Sequence, residues 1–368
     1  MERRERGFFG KVLVFILSIM AVIGLIAMIL SVISPYINPK HFIWTSFFGL
    51  SFWVIFAYNV VILSFLMLLW SRKAWIAVLA LLVAIPGLNK SYSFGSKTTG
   101  DNSIRIMSYN VHMFSPVGIE EMNKEQFACQ VMNMVKEQSP DILCCQEFHG
   151  YNNKISRIKC IEEFAITTGF QYVYFNRKDN YAGNVIFSKF PIAKVDEESG
   201  FGKEKTYGVM VSVDAGEKGK FHVANMHLLS YNITDNELDV LTSTPDRQNN
   251  LDTISRSVLH KLGSSFQRRS DELQSVLDEM PPIDGPIIIC GDFNETPLSY
   301  NYRQMQKAGF TDTFTKVGRG IKPTYAGKLP LLRIDYVWAN NGVTPFDFNR
   351  LRYKGSDHYP VMLDFSIQ

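Results

Sequence analysis

From Val12 to Ser34 the chain reads VLVFILSIMAVIGLIAMILSVIS without a charge. At ~1.5 Å rise per residue, a helix of that run spans the ~30 Å hydrocarbon core of a bilayer. A helix apolar on every face has no side to turn to water, so the run is expected to cross a membrane. A cleaved signal peptide would have an apolar core of ~7–15 residues followed by small residues, which this run does not match. A second uncharged run, Ser46 to Trp70, ends at Ser71-Arg72-Lys73, and a third follows from Ala74 to Leu88. The second and third cannot be one helix, because Arg72 and Lys73 at mid-bilayer would cost about 2.5–3.5 kcal/mol each. Residues 1–88 are therefore expected to form an integral membrane anchor in the lipid bilayer, with helices over 12–34, 46–70 and 74–88. The third run is short for a traverse, and it decides the topology. Three traverses place Arg3, Arg4, Arg6 and Lys11 on the side of Arg72 and Lys73, while the first loop carries only Lys40. The positive-inside rule then puts the N-terminus in the cytoplasm and the rest of the chain outside it; two traverses would put that rest inside.

Charge is distributed unevenly. Residues 1–100 hold nine of the 38 Lys+Arg and two of the 35 Asp+Glu, which leaves residues 101–368 with a net charge of −4. That part lacks the broad basic footprint of a protein tracking nucleic acid through many phosphates. Residues 89–103, NKSYSFGSKTTGDNS, are small and polar and read as a linker. The domain after it spans 104–368. Its five cysteines, Cys129, Cys144, Cys145, Cys160 and Cys290, follow neither a zinc nor a disulfide spacing and read as small hydrophobes.

Within 104–368 short runs of β-branched and aromatic residues predict strands at 104–109, 142–145, 172–175, 184–188, 209–213, 222–226, 287–290, 335–337 and 361–365. Apolar residues at helical spacing between Thr253 and Met280 predict one long amphipathic helix or two. Periodicity alone supports a mixed α and β domain. Six apolar runs end in a carboxylate, amide or imidazole: SYN at Asn110, CCQE at Glu147, NMH at His227, CGDFN at Asp292 and Asn294, RID at Asp335, and GSDHYP at Asp357 and His358. Polar residues at strand ends can gather at one rim of a sheet core, where substrate reaches them. Carboxylate and amide oxygens also suit a hard divalent cation. Singly, most of these tracts have plainer readings. Asn110 could close a turn, Glu147 or Asp292 cap a helix, His227 serve as a structural histidine, and Asp335 pair with Arg333. GDFN and GSDHYP are the more specific.

Taken in order, YN, QE, NMH, GDFN, IDY and SDHYP resemble the endonuclease/exonuclease/phosphatase superfamily over residues 103–368. That superfamily includes apurinic endonucleases, DNase I-like nucleases, neutral sphingomyelinases and inositol polyphosphate 5-phosphatases. The resemblance implies a four-layer α/β sandwich, two packed and mostly antiparallel sheets flanked by helices. By motif position Glu147 resembles the principal ligand of one Mg²⁺ or Mn²⁺, with Asn110 beside it and Asp357 on the metal side. His358 resembles the histidine that contacts the scissile phosphate, oriented by Asp335. Asp292 would align or deprotonate the attacking water, and Asn294 would hold a phosphate oxygen. His227 resembles the histidine of the phosphodiesterase-like branches, where apurinic endonucleases use a tyrosine. The chain departs from some relatives at His112, where an acidic or amide residue would stand.

The expected function is a membrane-anchored, metal-dependent phosphoesterase acting on phosphodiester or phosphomonoester bonds, with a lipid headgroup as one substrate. An extracytoplasmic nuclease is the alternative, with Arg268 and Arg269 as phosphate contacts or simply a solvated helix face. An inactive binding module is the third reading, and the intact ligand set argues against it. No protein partner is expected. The polar stretch 228–252 is the expected specificity loop.

Overall fold

The computed structural model describes residues 7–176, 183–195, 200–201, 207–231, 248–281, 284–327, 329 and 331–368. The chain divides into two compact units. One joins the residues up to Ser91 with Thr296–Arg303, and the other comprises Tyr92–Glu295 and Gln304–Gln368.

In the helical unit, α1 (Phe8–Ile33), α2 (Trp44–Leu50), α3 (Phe52–Leu68), α4 (Ala74–Val83) and α5 (Ile85–Ser91) follow one another. Among the described residues α1 is the one helix long and apolar enough to cross a membrane by itself. The pairs α2–α3 and α4–α5 reach that length together but are bent by 69° and 45°. Packing gives the direction of each helix. Leu17 and Ala21, near the middle of α1, cluster with Ile62 and Leu66, late in α3, and with Ile76 and Ala77, early in α4. Met28, late in α1, clusters with Phe52 and Ile55 of α3, with Ala80 and Ala84, and with Leu298. The order is thus up, down, up. Buried Asn59 donates its amide to the carbonyls of Gly24 (3.1 Å) and Ile55 (2.9 Å). A side chain at Gly24 would collide with Asn59, so this small residue lets two helices approach. Phe9, Phe15, Ile23, Val54, Phe65 and Leu68 remain exposed on the outer faces.

The second unit opens with β1 (Ser93–Phe94), followed by β2 (Ile104–Asn110), β3 (Ile142–Gln146), β4 (Tyr172–Phe175), β5 (Val185–Ser188), β6 (Ile192–Lys194), β7 (Gly200–Phe201), β8 (Gly208–Asp214) and β9 (Lys220–His227). Next come β10 (Ile287–Asp292), β11 (Thr311–Asp312), β12 (Arg319–Gly320), β13 (Asp335–Ala339), β14 (Val343–Arg350) and β15 (Val361–Ile367). One sheet has the order β14-β15-β2-β3-β5-β4 and the other β11-β13-β10-β9-β8-β6, with β7 beside β8. Each is antiparallel except for one pair, β2–β3 in the first and β9–β10 in the second. These are the two mixed sheets flanked by helices that the resemblance implies.

The strands read as continuous apolar runs because both faces are covered. Ile104, Ile106, Ile142, Cys144 and Ile186 point into the core shared with Val211, Val223, Ile288, Cys290 and Val337 of the other sheet. The alternate residues Met107, Tyr109, Leu143, Cys145 and Phe187 pack with Phe127 and Val131 of α6 (Lys124–Gln138) and Phe164 of α7 (Arg157–Thr168). All five cysteines are free, and every one but Cys129 is buried. Gln248–Glu279 is a single helix.

Several features differ from the sequence reading: the run 46–70 is broken into α2 and α3, the run 74–88 into α4 and α5, and the short strands β1, β6, β7, β11 and β12 were not expected. Strand β14 was not expected, because Pro345, Asp347 and a bulge between them interrupt its alternation; it is an edge strand, where proline is tolerated. In the polar stretch 89–103, α5 ends at Ser91, and the rest runs along the second unit. There Ser93–Phe94 pairs with Arg319–Gly320, and Lys97 meets Asp347 at 3.0 Å.

Across the core, Gln146 of the first sheet donates to Asn225 Oδ1 of the second at 2.6 Å. Asn225 in turn donates to the carbonyls of Cys145 (2.7 Å) and Val185 (3.0 Å). Asn225→Ala removes one partner each from Gln146, Cys145 and Val185, of which Gln146 keeps Ser108 Oγ at 3.0 Å, and is expected to lower stability by about 1–3 kcal/mol. An unchanged urea midpoint of the detergent-solubilised protein would show that the bridge carries no net stability.

Candidate active site

Strand register assembles the site. Asp292, the last residue of β10, lies opposite Asp335 on one side and His227 on the other. In the first sheet Asn110 lies beside Gln146, one residue before Glu147. The turn before β15 supplies Asp357 and His358. The structure therefore brings the singled-out residues to one end of both sheets.

The contacts are short. The Asn110 amide donates to Glu147 Oε1 and to Asp292 Oδ2, each at 3.1 Å. His358 Nδ1 lies 2.9 Å from Asp335 Oδ2, and its Nε2 lies 3.4 Å from Asp292 Oδ2. Ligand atoms of Asp292, Asp335 and His358 all lie within 4.8 Å of one another. His227 Nε2 sits 3.6 Å from Glu147 Oε1 and 3.8 Å from Asp292 Oδ2 and, though buried, has no hydrogen-bond partner. Asn294 donates its backbone N–H to Asp292 Oδ1 (2.9 Å) and its side-chain amide to the Leu228 carbonyl (3.0 Å). Arg333 pairs with Asp312 at 2.7 Å, which resolves the open reading of Asp335: its partner is His358.

Several supporting residues were not assigned roles in the sequence reading. His112 Nδ1 lies 3.1 Å from Asp357 Oδ1 and 4.0 Å from Glu147 Oε2, between the two expected metal-side carboxylates. Ser356 donates to the Asn110 carbonyl at 2.8 Å and accepts from the His358 N–H at 3.1 Å, joining the last tract to the first. Thr324 Oγ1 accepts from the Asp335 N–H at 3.0 Å. Ser356, Gln146 and Asn225 stood inside the quoted tracts; nothing in the sequence pointed to Thr324. Of the expected specificity loop, residues 232–247 lie outside the described residues.

Glu147 (φ 53°), Asn294 (φ 51°) and the run His112, Met113 and Phe114 (φ 49°, 53° and 53°) adopt the left-handed conformation. Gly291 (φ 141°) is required in a different way, since a Cβ there would overlap the Met226 backbone of the neighbouring parallel strand.

Burial alone would lower the proton affinity of His358. The charges of Asp335 and Asp292 and the Asp335 hydrogen bond outweigh it and raise His358 well above the ordinary histidine value. Burial pushes Asp292 up, against the pull of His358. Burial would likewise raise Asp357, but the His112 hydrogen bond and the His358 charge bring it down to about 2. The two aspartates that flank His358 thus favour its protonated form.

Comparison with known proteins identifies the family. Residues 107–358 match the model of the endonuclease/exonuclease/phosphatase family, and the chain belongs to that family. Residues 11–91 match a domain of unknown function, DUF8431. The uncharacterised protein YbhP of Escherichia coli K12 is 22% identical over 285 residues, covering 72% of this chain and 97% of YbhP. The human Nocturnin catalytic domain with bound sulfate is 19% identical, covering 74% of this chain and 97% of its own, with a TM-score of 0.48. An endonuclease/exonuclease/phosphatase from Bacteroides vulgatus is 15% identical, with coverages of 72% and 99% and a TM-score of 0.48. An AP endonuclease from Archaeoglobus fulgidus is 17% identical, with coverages of 71% and 98% and a TM-score of 0.45. The family and the fold implied by the sequence resemblance are both borne out.

The raised value of His358 fixes the sign of a pH effect. Its folded proton affinity exceeds the unfolded value of about 6.5, so its stabilisation is complete below that pH and fades as pH rises through the folded value. In chelator-treated protein the stability gap between wild type and His358→Gln should therefore narrow on going alkaline. A gap that widens with pH would contradict the assignment.

Proposed function

We propose that the chain is a membrane-anchored, divalent-metal-dependent phosphoesterase hydrolysing phosphodiester or phosphomonoester bonds, with lipid headgroups as the substrate class its anchor favours. The observation that carries this reading is the buried His358 ring, held at Nδ1 by Asp335 and facing Asp292 with Nε2, beside Asn110 and Glu147. The donor set fits a hard divalent ion: carboxylates gather around one amide, and like charges so close favour a cation among them. Glu147, with Asn110 and Asp357, would hold Mg²⁺ or Mn²⁺. When bound, the ion would cancel charge on phosphate oxygens.

The chain's own groups divide the remaining work. Asp335 fixes His358 Nδ1, which leaves Nε2 with its proton toward a phosphate oxygen. Asp292, with its proton affinity raised by burial, is suited to take a proton from the attacking water. The Asn294 N–H holds Asp292 Oδ1 in line. In this arrangement Asn294 acts on Asp292, its side-chain amide being committed to Leu228. His227 Nε2, buried and without a hydrogen-bond partner, is placed to contact a second phosphate oxygen or the leaving group.

The up-down-up helical order and the cationic residues Lys11, Arg72 and Lys73 at shared helix ends support an extracytoplasmic domain. The nuclease alternative loses Arg269, one of its two expected phosphate contacts, because that residue is fully buried; Arg268 is exposed.

Full-length protein in micelles, supplied with Mg²⁺ or Mn²⁺, is expected to hydrolyse bis-p-nitrophenyl phosphate or phospholipid and to stop with excess chelator. His358→Ala, Asp292→Ala and Glu147→Ala should each lower turnover by roughly 10²–10³-fold. Wild-type turnover in any one removes that residue from the mechanism, and nicking of supercoiled plasmid without lipid cleavage favours the nuclease. Protease added to intact spheroplasts should digest the C-terminal domain; digestion only after lysis would place it inside.

A further inference from the structure

The loops that carry His227 and Asn294 are gripped from behind by one side chain of the long helix. Arg269 is completely buried. Its Nε donates to Glu295 Oε1 at 2.8 Å and its Nη1 to the Leu229 carbonyl at 3.0 Å. The guanidinium lies 4.2 Å from the Tyr231 ring centroid and 5.4 Å from that of Phe266. One helical turn on, Glu272 accepts the Leu229 N–H at 2.8 Å. The N–H and the C=O of Leu229 are therefore both held by the helix, while Glu295, the residue after Asn294, is held by the same guanidinium. The two loops also hold each other, since Leu228 donates to the Asp292 carbonyl and accepts from the Asn294 amide, each at 3.0 Å.

We propose that Arg269 is a positioning residue: with Glu272 and Glu295 it sets the placement of His227 and of the Asp292–Asn294 turn. The inference rests on the proposed phosphoesterase reading for its catalytic consequence. A buried ion pair is a costly way to stabilise a core, and apolar replacements of similar volume often do as well. A guanidinium here offers what they lack, a rigid fork that reaches a carboxylate and a backbone carbonyl at once. Lysine keeps the charge but not the fork.

The test compares full-length wild type in micelles with Arg269→Lys and Glu295→Gln. Hydrogen exchange, read by mass spectrometry on peptides covering 228–231 and 292–295, reports the clamp directly. In Arg269→Lys both peptides are expected to exchange at least roughly tenfold faster, with β2 and β3 unchanged. On bis-p-nitrophenyl phosphate kcat is expected to fall roughly 10–100-fold. Under the same conditions KM and the Mn²⁺ affinity read by electron paramagnetic resonance should change less than about threefold, because neither groups binding the metal nor the substrate are removed. Glu295→Gln, which keeps an acceptor, should show the smaller effect. Wild-type exchange in both peptides overturns the clamp whatever the activity, and faster exchange with wild-type kcat overturns its part in catalysis. If the wild type hydrolyses no phosphoester, the functional reading falls and the exchange result alone decides the clamp.

Discussion

The site depends on two sheets keeping a fixed slide relative to one another, and the hydrogen bonds of Asn225 to Gln146, Cys145 and Val185 join them across the core. Hydrophobic burial is non-directional: Ile104, Cys144, Val223 and Ile288 would be nearly as well covered if one sheet moved by a fraction of a residue. An amide pair in a dry core tolerates no such movement, because displaced donors lose their partners without gaining water. Gln146 immediately precedes Glu147, and Asn225 stands just before the turn that begins at His227. The lock therefore lies directly beneath the groups whose spacing matters. Asn110 extends the same logic upward, its one amide touching Glu147 from the first sheet and Asp292 from the second.

Left-handed residues at this rim show what the tight assembly costs. Non-glycine residues in that region carry about 1–3 kcal/mol each. For His112–Phe114 the compensation is visible: Phe114 is buried among Phe148, Tyr151 and Phe127, with ring centroids 4.8, 5.2 and 6.5 Å away. An aromatic cluster pulls the turn inward, and the same turn presents His112 to Asp357 and Glu147. For Asn294, the hydrogen bonds to Asp292 and Leu228 serve the same end.

What could be read in the sequence was the rim itself. An apolar run that stops at a polar residue marks where a strand leaves the core, and six such stops were enough to gather Asn110, Glu147, His227, Asp292, Asp335 and His358. Pairing was harder to read. Asp335 had an adjacent cation in Arg333, yet Arg333 turns to Asp312 and leaves Asp335 for a histidine from another turn. Arg269 sits beside exposed Arg268 and reads as a surface residue, since nothing periodic announces that Glu295 waits opposite it inside the fold. Contacts of this kind are set by three-dimensional closure, not by local pattern.

The helical unit is discontinuous in sequence. Leu298, from the stretch that follows the GDFN tract, completes the cluster of Met28, Phe52, Ile55, Ala80 and Ala84, and the Arg303 guanidinium stacks 3.9 Å from the Tyr36 ring centroid. A gene fusion that grafts residues 1–91 onto another protein would thus carry an incomplete helical unit, and one that joins residues 92–368 to foreign helices would strand Leu298 without its apolar surroundings. Substitutions at Phe52 or Gly87 are constrained by a residue more than two hundred positions away along the chain.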